Sequence, residues 1–157
     1  MTKDEQFMLC AIDVALKAER EGNPPVGAVV TLAGEVVAEG AAAILVPKFD
    51  GTRHAEMEAL RAVPQDLWGS SDEMSLYTTL EPCVMCFASI LIHGIGRIVF
   101  GASDNQGGAS CVHSHLPPYF EKRLAKTQWL GPIMPTECDP LYGRLMVLLG
   151  ETERGLA

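Results

Sequence analysis

The sequence predicts an α/β fold, a three-layer α/β/α sandwich around a central mixed sheet of about five strands. Three observations point there. After an opening hairpin pattern, apolar runs of strand length alternate with segments of helical period, as a sheet covered by helices on both faces requires. The chain has 157 residues, 48% hydrophobic and 20% charged, a globular mixture long enough to bury one core. No internal repeat and no linker interrupts it, so residues 1–157 read as a single domain.

Each element has its own signal. Phe7, Ala11, Val14 and Ala18 form one stripe of an amphipathic helix, which Gly22, Asn23, Pro24 and Pro25 end. VGAVVTL and EVVAEGA flank Ala33 and Gly34 as strand, turn and strand. A loop over 44–53 holds Pro47, Asp50 and Gly51. HAEMEALRAV reads as a short helix with Thr52 as its N-cap and Pro64 as its stop. SLYTTL is a strand, and residues 82–93 a helix with Pro82 at its first position and Gly94 at its end. RIVFGA is the next strand. Beyond Asp104 the chain turns polar and glycine-rich, and then a short helix is expected near LPPYFEKRLA, a strand over 129–134 and a last helix from Leu141.

Composition narrows the function. Twelve Lys+Arg stand against 20 Asp+Glu, a net charge of -8, and only Lys122, Arg123 and Lys126 cluster. A protein that grips a phosphate backbone needs several cations on one face, so the balance argues against a nucleic-acid partner and for a small molecule. Five cysteines, Cys10, Cys83, Cys86, Cys111 and Cys138, are an odd number without a dense framework, which reads as a reducing compartment. The start lacks a signal-type apolar core, and no apolar run approaches the ~20 residues of a spanning helix. A cytoplasmic protein with no membrane partner is expected.

The chemistry gathers at two short stretches. Cys83 and Cys86 lie three apart at the front of a helix, so their side chains share a face where the helix dipole favours thiolates. No second such pair completes a closed four-cysteine site. His54, at the start of another helix, is the best third ligand, and three protein ligands with an open position are the catalytic zinc pattern. Zinc lowers the pKa of a water there to about 7. Glu56, two residues from His54, reaches the same place only within a first helical turn, where it can take a proton from that water and deliver it to a leaving amine. Ala55 between them is small enough to leave its amide open to a ligand. Two buried, inert cysteines and a redox dithiol are the competing readings of the pair, but inert residues do not account for the spaced His and Glu, and thioredoxin-like motifs lack them. Cys111, His113 and His115 read as a loop, since their alternating spacing on an irregular segment fixes no ligand geometry.

HAE at 54–56 and PCVMC at 82–86 are the H-x-E and P-C-x-x-C halves of the zinc deaminase signature. With PPVGAVV at 24–30, LYTTLEPCVMC and RIVFGASD, the likeness covers roughly residues 5–108. The chain resembles the cytidine deaminase superfamily, in the branch that contains tRNA adenosine, guanine and fungal-type cytosine deaminases. The resemblance implies one zinc ion per chain on His54, Cys83 and Cys86, Glu56 as the proton carrier, and hydrolytic release of ammonia from an amino-bearing ring. It implies pocket contacts from Val26 and Ala28, the Ala55 amide and the backbone around Glu81, and assembly as a homodimer.

Departures bear on the substrate. Many relatives carry an asparagine eleven residues before the zinc histidine that hydrogen-bonds the base or sugar; Ala43 stands there. Arg53 replaces a small residue typical of tRNA-editing members, and no basic tail follows Gly108. Residues 109–157 resemble a C-terminal pocket-closing segment of small-molecule relatives, with Phe49, Tyr119, Trp129 and Tyr142 as candidate stacking partners for a base and Trp129 the first of them. The expected function is therefore deamination of a small amino-purine or amino-pyrimidine, guanine before cytosine. A tRNA adenosine-to-inosine deaminase and a non-catalytic zinc-stabilised scaffold are the alternatives; only the second has no use for Glu56.

Overall fold

The computed structural model describes residues 1–156 and the side chains of 1–150, so Ala157 of the expected domain lies outside the described residues. Its first helix, α1 (Lys3–Arg20), opens on a capping box. Thr2 Oγ1 accepts from the Glu5 amide at 3.1 Å while the Glu5 carboxylate accepts from the Thr2 amide at 2.6 Å. The expected hairpin follows as β1 (Gly27–Leu32) and β2 (Glu35–Ala41), turned by Ala33 and Gly34 at φ 53° and 83°. Then come α2 (Ala55–Ala62), β3 (Ser75–Leu80), α3 (Val84–His93), β4 (Arg97–Ala102), α4 (Pro118–Leu124), β5 (Gln128–Leu130) and α5 (Pro135–Leu156). Short 3₁₀ segments at Gln65–Glu73 and Ala109–Val112 had no periodic signal.

The strand order is β2-β1-β3-β4-β5, with β1 antiparallel to both β2 and β3, and β3, β4 and β5 mutually parallel. The sheet is mixed and five-stranded, as expected. Alternation along the strands assigns the two faces. Val29, Tyr77 and Val99 point to one core with Met8, Ala11 and Val14 of α1 and Cys138 of α5. Ala28, Val30, Leu76 and Ile98 point to the other, with Ala55, Ala59 and Leu60 of α2 and Cys86 and Ile90 of α3. Helices thus cover both faces, and the sites at the starts of α2 and α3 lie in one layer.

Two expectations need correction. The strand expected over 129–134 is three residues long, because Gly131 at φ 155° and Pro132 break the extended ladder. The last helix begins at Pro135, six residues before Leu141, and runs through Pro140. Pro140 sits close to the helix start, so it removes one hydrogen bond without ending the helix.

A half-buried polar triad ties α1 to the sheet. Arg97 donates to both carboxylate oxygens of Asp4 at 2.9 and 2.7 Å and to Tyr77 Oη at 3.1 Å, while Tyr77 donates to Asp4 at 2.7 Å. The Arg97 hydrogen bonds hold the Asp4 carboxyl below its ordinary value against its partial burial. Burial and the Asp4 carboxylate push Tyr77 up to about 12. A depressed folded pKa stabilises above the unfolded value, near 4, and that stabilisation is lost as pH falls through the folded pKa. Asp4→Asn is expected to cost about 1–2 kcal/mol at neutral pH, the size of a partly exposed charge-assisted pair. Urea unfolding should show little difference from wild type at pH 2, and an equal loss at both pH values would remove Asp4 ionisation as the cause.

Candidate active site

Two helix N-termini meet at the carboxyl end of β3, and each positions its ligands by leaving a cap side chain free. Gly40 of β2 lets α2 sit against the sheet, since a Cβ there would lie 2.1 Å from the Ala55 carbonyl oxygen and 2.2 Å from the Ala59 nitrogen. The N-cap of α2 is His54, at φ -68° and ψ 155°, and its side chain makes no cap hydrogen bond. Thr52, the expected cap, instead closes a turn onto Asp50, donating to Oδ1 through its amide at 2.9 Å and its hydroxyl at 2.7 Å. The helix therefore starts at Ala55, with Glu56 in its first turn as the His54–Glu56 spacing requires. Cys83 is likewise the N-cap of α3, uncapped by its side chain, and Cys86 lies one turn on, fully buried. Pro82 precedes the N-cap, two positions before the first helical residue Val84 rather than at that residue as expected.

His54 Nδ1 lies 3.5 Å from each of the two sulfurs, and the three ligand atoms fall within 4.8 Å of one another. Around a tetrahedral zinc, with nitrogen at about 2.05 Å and sulfur at about 2.3 Å, the nitrogen-to-sulfur edge is about 3.6 Å. The donor set therefore fits a zinc ion in both chemistry and spacing. The thiols share one charge, with Cys83 drawn down to about 4, chiefly by the Cys86 hydrogen bond, and Cys86 pushed up by Cys83 and burial. The Cys83 hydrogen bond holds His54 above its ordinary value.

Glu56 is 3% exposed. Thr78 donates to its Oε1 at 3.3 Å, and its Oε2 is 3.6 Å from Cys86 Sγ, directly beside the ligand set. Burial pushes its carboxyl upward, and a divalent cation on the three ligands would pull the other way. This carboxyl can hold or release a proton at the buried wall of the cavity.

A cavity of about 140 Å³ opens on this centre. His54, Ala55, Glu56 and Cys83 line it, as do Val26 and Glu81 among the expected contacts. Ala28 and Trp129 do not. Ala28 is fully buried, facing the core of α2 and α3 one residue short of the strand end. Trp129 sits on edge strand β5, packed against Phe87, Phe100 and His113, with its indole donating to Ser110 Oγ at 3.0 Å. Phe49 and Tyr119 are exposed at 68% and 48%, too open for a pocket wall. The cavity walls missed by sequence reasoning are Pro24, Ala42, Ile44, Leu80, Asp104, Leu145 and Leu149. Ile44 had one legible signal in Asn23, a buried polar residue whose Oδ1 accepts from the Leu45 and Val46 amides at 2.9 and 3.0 Å and so fixes that loop. Glu81 fixes another: its carboxylate accepts from the Ser110 amide at 3.3 Å across Gly108, where a Cβ would lie 1.7 Å from Glu81 Oε2.

Comparison with known proteins adds the identity of the relatives. The model of the cytidine and deoxycytidylate deaminase zinc-binding region matches residues 1–102. The tRNA-specific adenosine deaminase of Buchnera aphidicola subsp. Baizongia pistaciae (strain Bp) is 34% identical over 140 residues, 88% of this chain and 85% of that protein. The tRNA-specific adenosine deaminase of Bacillus subtilis (strain 168) is 40% identical over 114 residues, 70% of this chain and 68% of that protein. A solved structure from work on A-to-I editing by tRNA:A34 deaminases at the wobble position superimposes with a TM-score of 0.69 at 31% identity, covering 83% of this chain and all of that one.

These relatives overturn the expected small-base substrate, guanine or cytosine, and the expectation that nucleic acid is no partner. The charge argument failed because net charge sums the whole surface, whereas binding depends on where the unpaired cations sit. Among the described residues no helix is long and apolar enough to cross a membrane. The ligand triad, the buried glutamate beside it and the match over residues 1–102 agree: the chain belongs to the cytidine and deoxycytidylate deaminase family and is an aminohydrolase.

Proposed function

We propose that this protein is a zinc-dependent deaminase that converts adenosine to inosine within transfer RNA. The observation that carries the reading is the 34% identity over 88% of the chain to a tRNA-specific adenosine deaminase, joined to a complete ligand and proton-carrier set. His54, Cys83 and Cys86 would hold the zinc, which when bound would supply a water of lowered pKa. Glu56 takes the proton of the attacking water and passes it to the leaving amine, its carboxyl held in line by Thr78. A cavity of about 140 Å³ admits a single base and no duplex, so the target nucleotide must leave its stack. Val26, the Ala55 amide and Glu81 face that base. The same reading makes the protein cytoplasmic and, with its superfamily, a homodimer.

Transfer RNA needs cations, and the fold leaves one cluster unspent. Among the described residues Arg53, Arg61, Arg97 and Arg144 are each in an ion pair; Lys3, Lys17, Arg20, Lys48, Lys122, Arg123 and Lys126 are in none, and the last three surround an open concavity with Tyr119, over whose ring Arg123 lies 5.1 Å from the centroid. Arg123 lies beside Gly94 at the far end of the ten-residue α3, about 15 Å along that helix from Cys83. An RNA stem-loop with its loop at the cavity spans that distance.

The test is inosine. Zinc-loaded protein incubated with unmodified tRNA should yield inosine on nuclease digestion and chromatography, with one ammonia per inosine. No inosine from any tRNA would overturn the reading. Replacing Lys122, Arg123 and Lys126 by glutamine should weaken tRNA binding about tenfold or more and flatten the dependence of log K on log salt by about 0.7 for each phosphate no longer neutralised. An unchanged slope would move the phosphate-binding surface elsewhere.

A further inference from the structure

Helix α5 packs along the cavity, and its Leu145 and Leu149 form part of the cavity wall. Among the described residues, two side-chain contacts tie the helix to neighbouring elements. On the α1 side Arg144 donates to both carboxylate oxygens of Glu19 at 2.6 and 3.1 Å, but that pair is open to solvent, with side chains 47% and 36% exposed. On the other side the Tyr142 hydroxyl donates to Asp104 Oδ1 at 2.7 Å. The same oxygen accepts from the Gln106 and Gly107 amides at 2.9 and 3.0 Å, so the acceptor is fixed by its own loop before Tyr142 reaches it. Asp104 itself lines the cavity. The side-chain tie between α5 and the Asp104 wall, among the described residues, is thus the Tyr142 hydroxyl.

We propose that Tyr142 is a positioning residue for substrate: its hydrogen bond to Asp104 latches α5 over the cavity, so that Leu145 and Leu149 enclose the base without Tyr142 touching it. Two further observations favour this role. Burial and the Asp104 carboxylate push the Tyr142 hydroxyl up to about 12, the direction expected for a proton held in that bond. Most of the cavity wall is apolar, with Val26, Ala42, Ile44 and Leu80 lining it alongside Leu145 and Leu149, so apolar enclosure carries much of the grip on a base. Enclosure contributes equally to the bound substrate and the transition state. Its loss therefore raises KM and leaves kcat in place.

Tyr142→Phe removes the hydroxyl alone. A hydrogen bond to a charged acceptor is worth about a factor of ten in an equilibrium constant. In the full-length zinc-loaded protein, KM for a tRNA anticodon stem-loop should rise about five- to tenfold with kcat within twofold. Amide hydrogen exchange over residues 141–150 should quicken by a similar factor. Arg144→Met, which cuts the solvent-open anchor, should leave KM within twofold, and Asp104→Asn, which keeps an acceptor for Tyr142, should retain most of the slow exchange. Unchanged exchange in Tyr142→Phe, or a fall in kcat at unchanged KM, would overturn the latch. The KM arm rests on the tRNA reading. Wild-type protein that makes no inosine would defeat that reading alone, and the exchange arm would still decide the latch.

Discussion

Glu56→Ala and Glu56→Gln are both expected to lower inosine formation by at least ~10²-fold while zinc content and unfolding midpoint stay close to wild type. The carboxyl is 3% exposed and its close polar neighbours are Thr78 at 3.3 Å and Cys86 Sγ at 3.6 Å. Neither neighbour can relay a proton between water and a leaving amine at neutral pH, so no group beside Glu56 replaces it. Folding has little to lose, because a buried carboxyl costs desolvation and one hydroxyl hydrogen bond does not fully offset that. Glutamine keeps the shape and the acceptor for Thr78 but carries no transferable proton, so it separates proton transfer from packing. Measured under single-turnover conditions with metal content assayed in the same samples, activity within threefold of wild type in the glutamine variant would remove Glu56 from the chemistry. A non-catalytic scaffold predicts that outcome.

The site was legible where chemistry is local. Cys83 and Cys86 share a helix turn, and His54 and Glu56 share another, so spacing alone placed each pair. Their meeting was less direct. It depends on α2 approaching the sheet at Gly40, a close approach that no periodicity encodes. The pocket walls were mostly hidden for the same reason. Asp104, Leu145 and Leu149 come from a loop and a helix far along the chain, and their residue types do not differ from those of ordinary loops and cores. Trp129 looked like a base-stacking residue because it is aromatic, yet edge strand β5 turns it into the cluster of Phe87, Phe100 and His113. The substrate was misread because a net charge of -8 and the departures at Ala43 and Arg53 were given more weight than the cluster of Lys122, Arg123 and Lys126, which lines one concavity. The fold itself was read well because alternation of apolar residues along Val29–Val30, Leu76–Tyr77 and Ile98–Val99 fixes two buried faces, and two buried faces demand helices on both.

His54→Ala or Cys83→Ser is expected to reduce bound zinc below one per chain. Each removes one of three protein ligands, and structural and catalytic zinc sites draw large binding free energies, on the order of 10 kcal/mol, from the full set. The two positions suit the test because neither side chain caps its helix, so α2 and α3 keep their starts without them. Cys86 is a poorer probe: it is fully buried against the core of α2 and α3, where a hydroxyl would disturb packing as well as ligation. A second readout separates lost ligation from lost folding. Zinc that binds only the native state stabilises it by an amount that grows with zinc concentration, so a chelator should lower the wild-type midpoint by several degrees. The same chelator should move the His54→Ala midpoint little, since that variant has little metal to lose. Full zinc occupancy in both variants would mean that the ligands lie elsewhere. Low occupancy with an unaltered response to chelator would mean that the metal held at this centre is not what stabilises the fold.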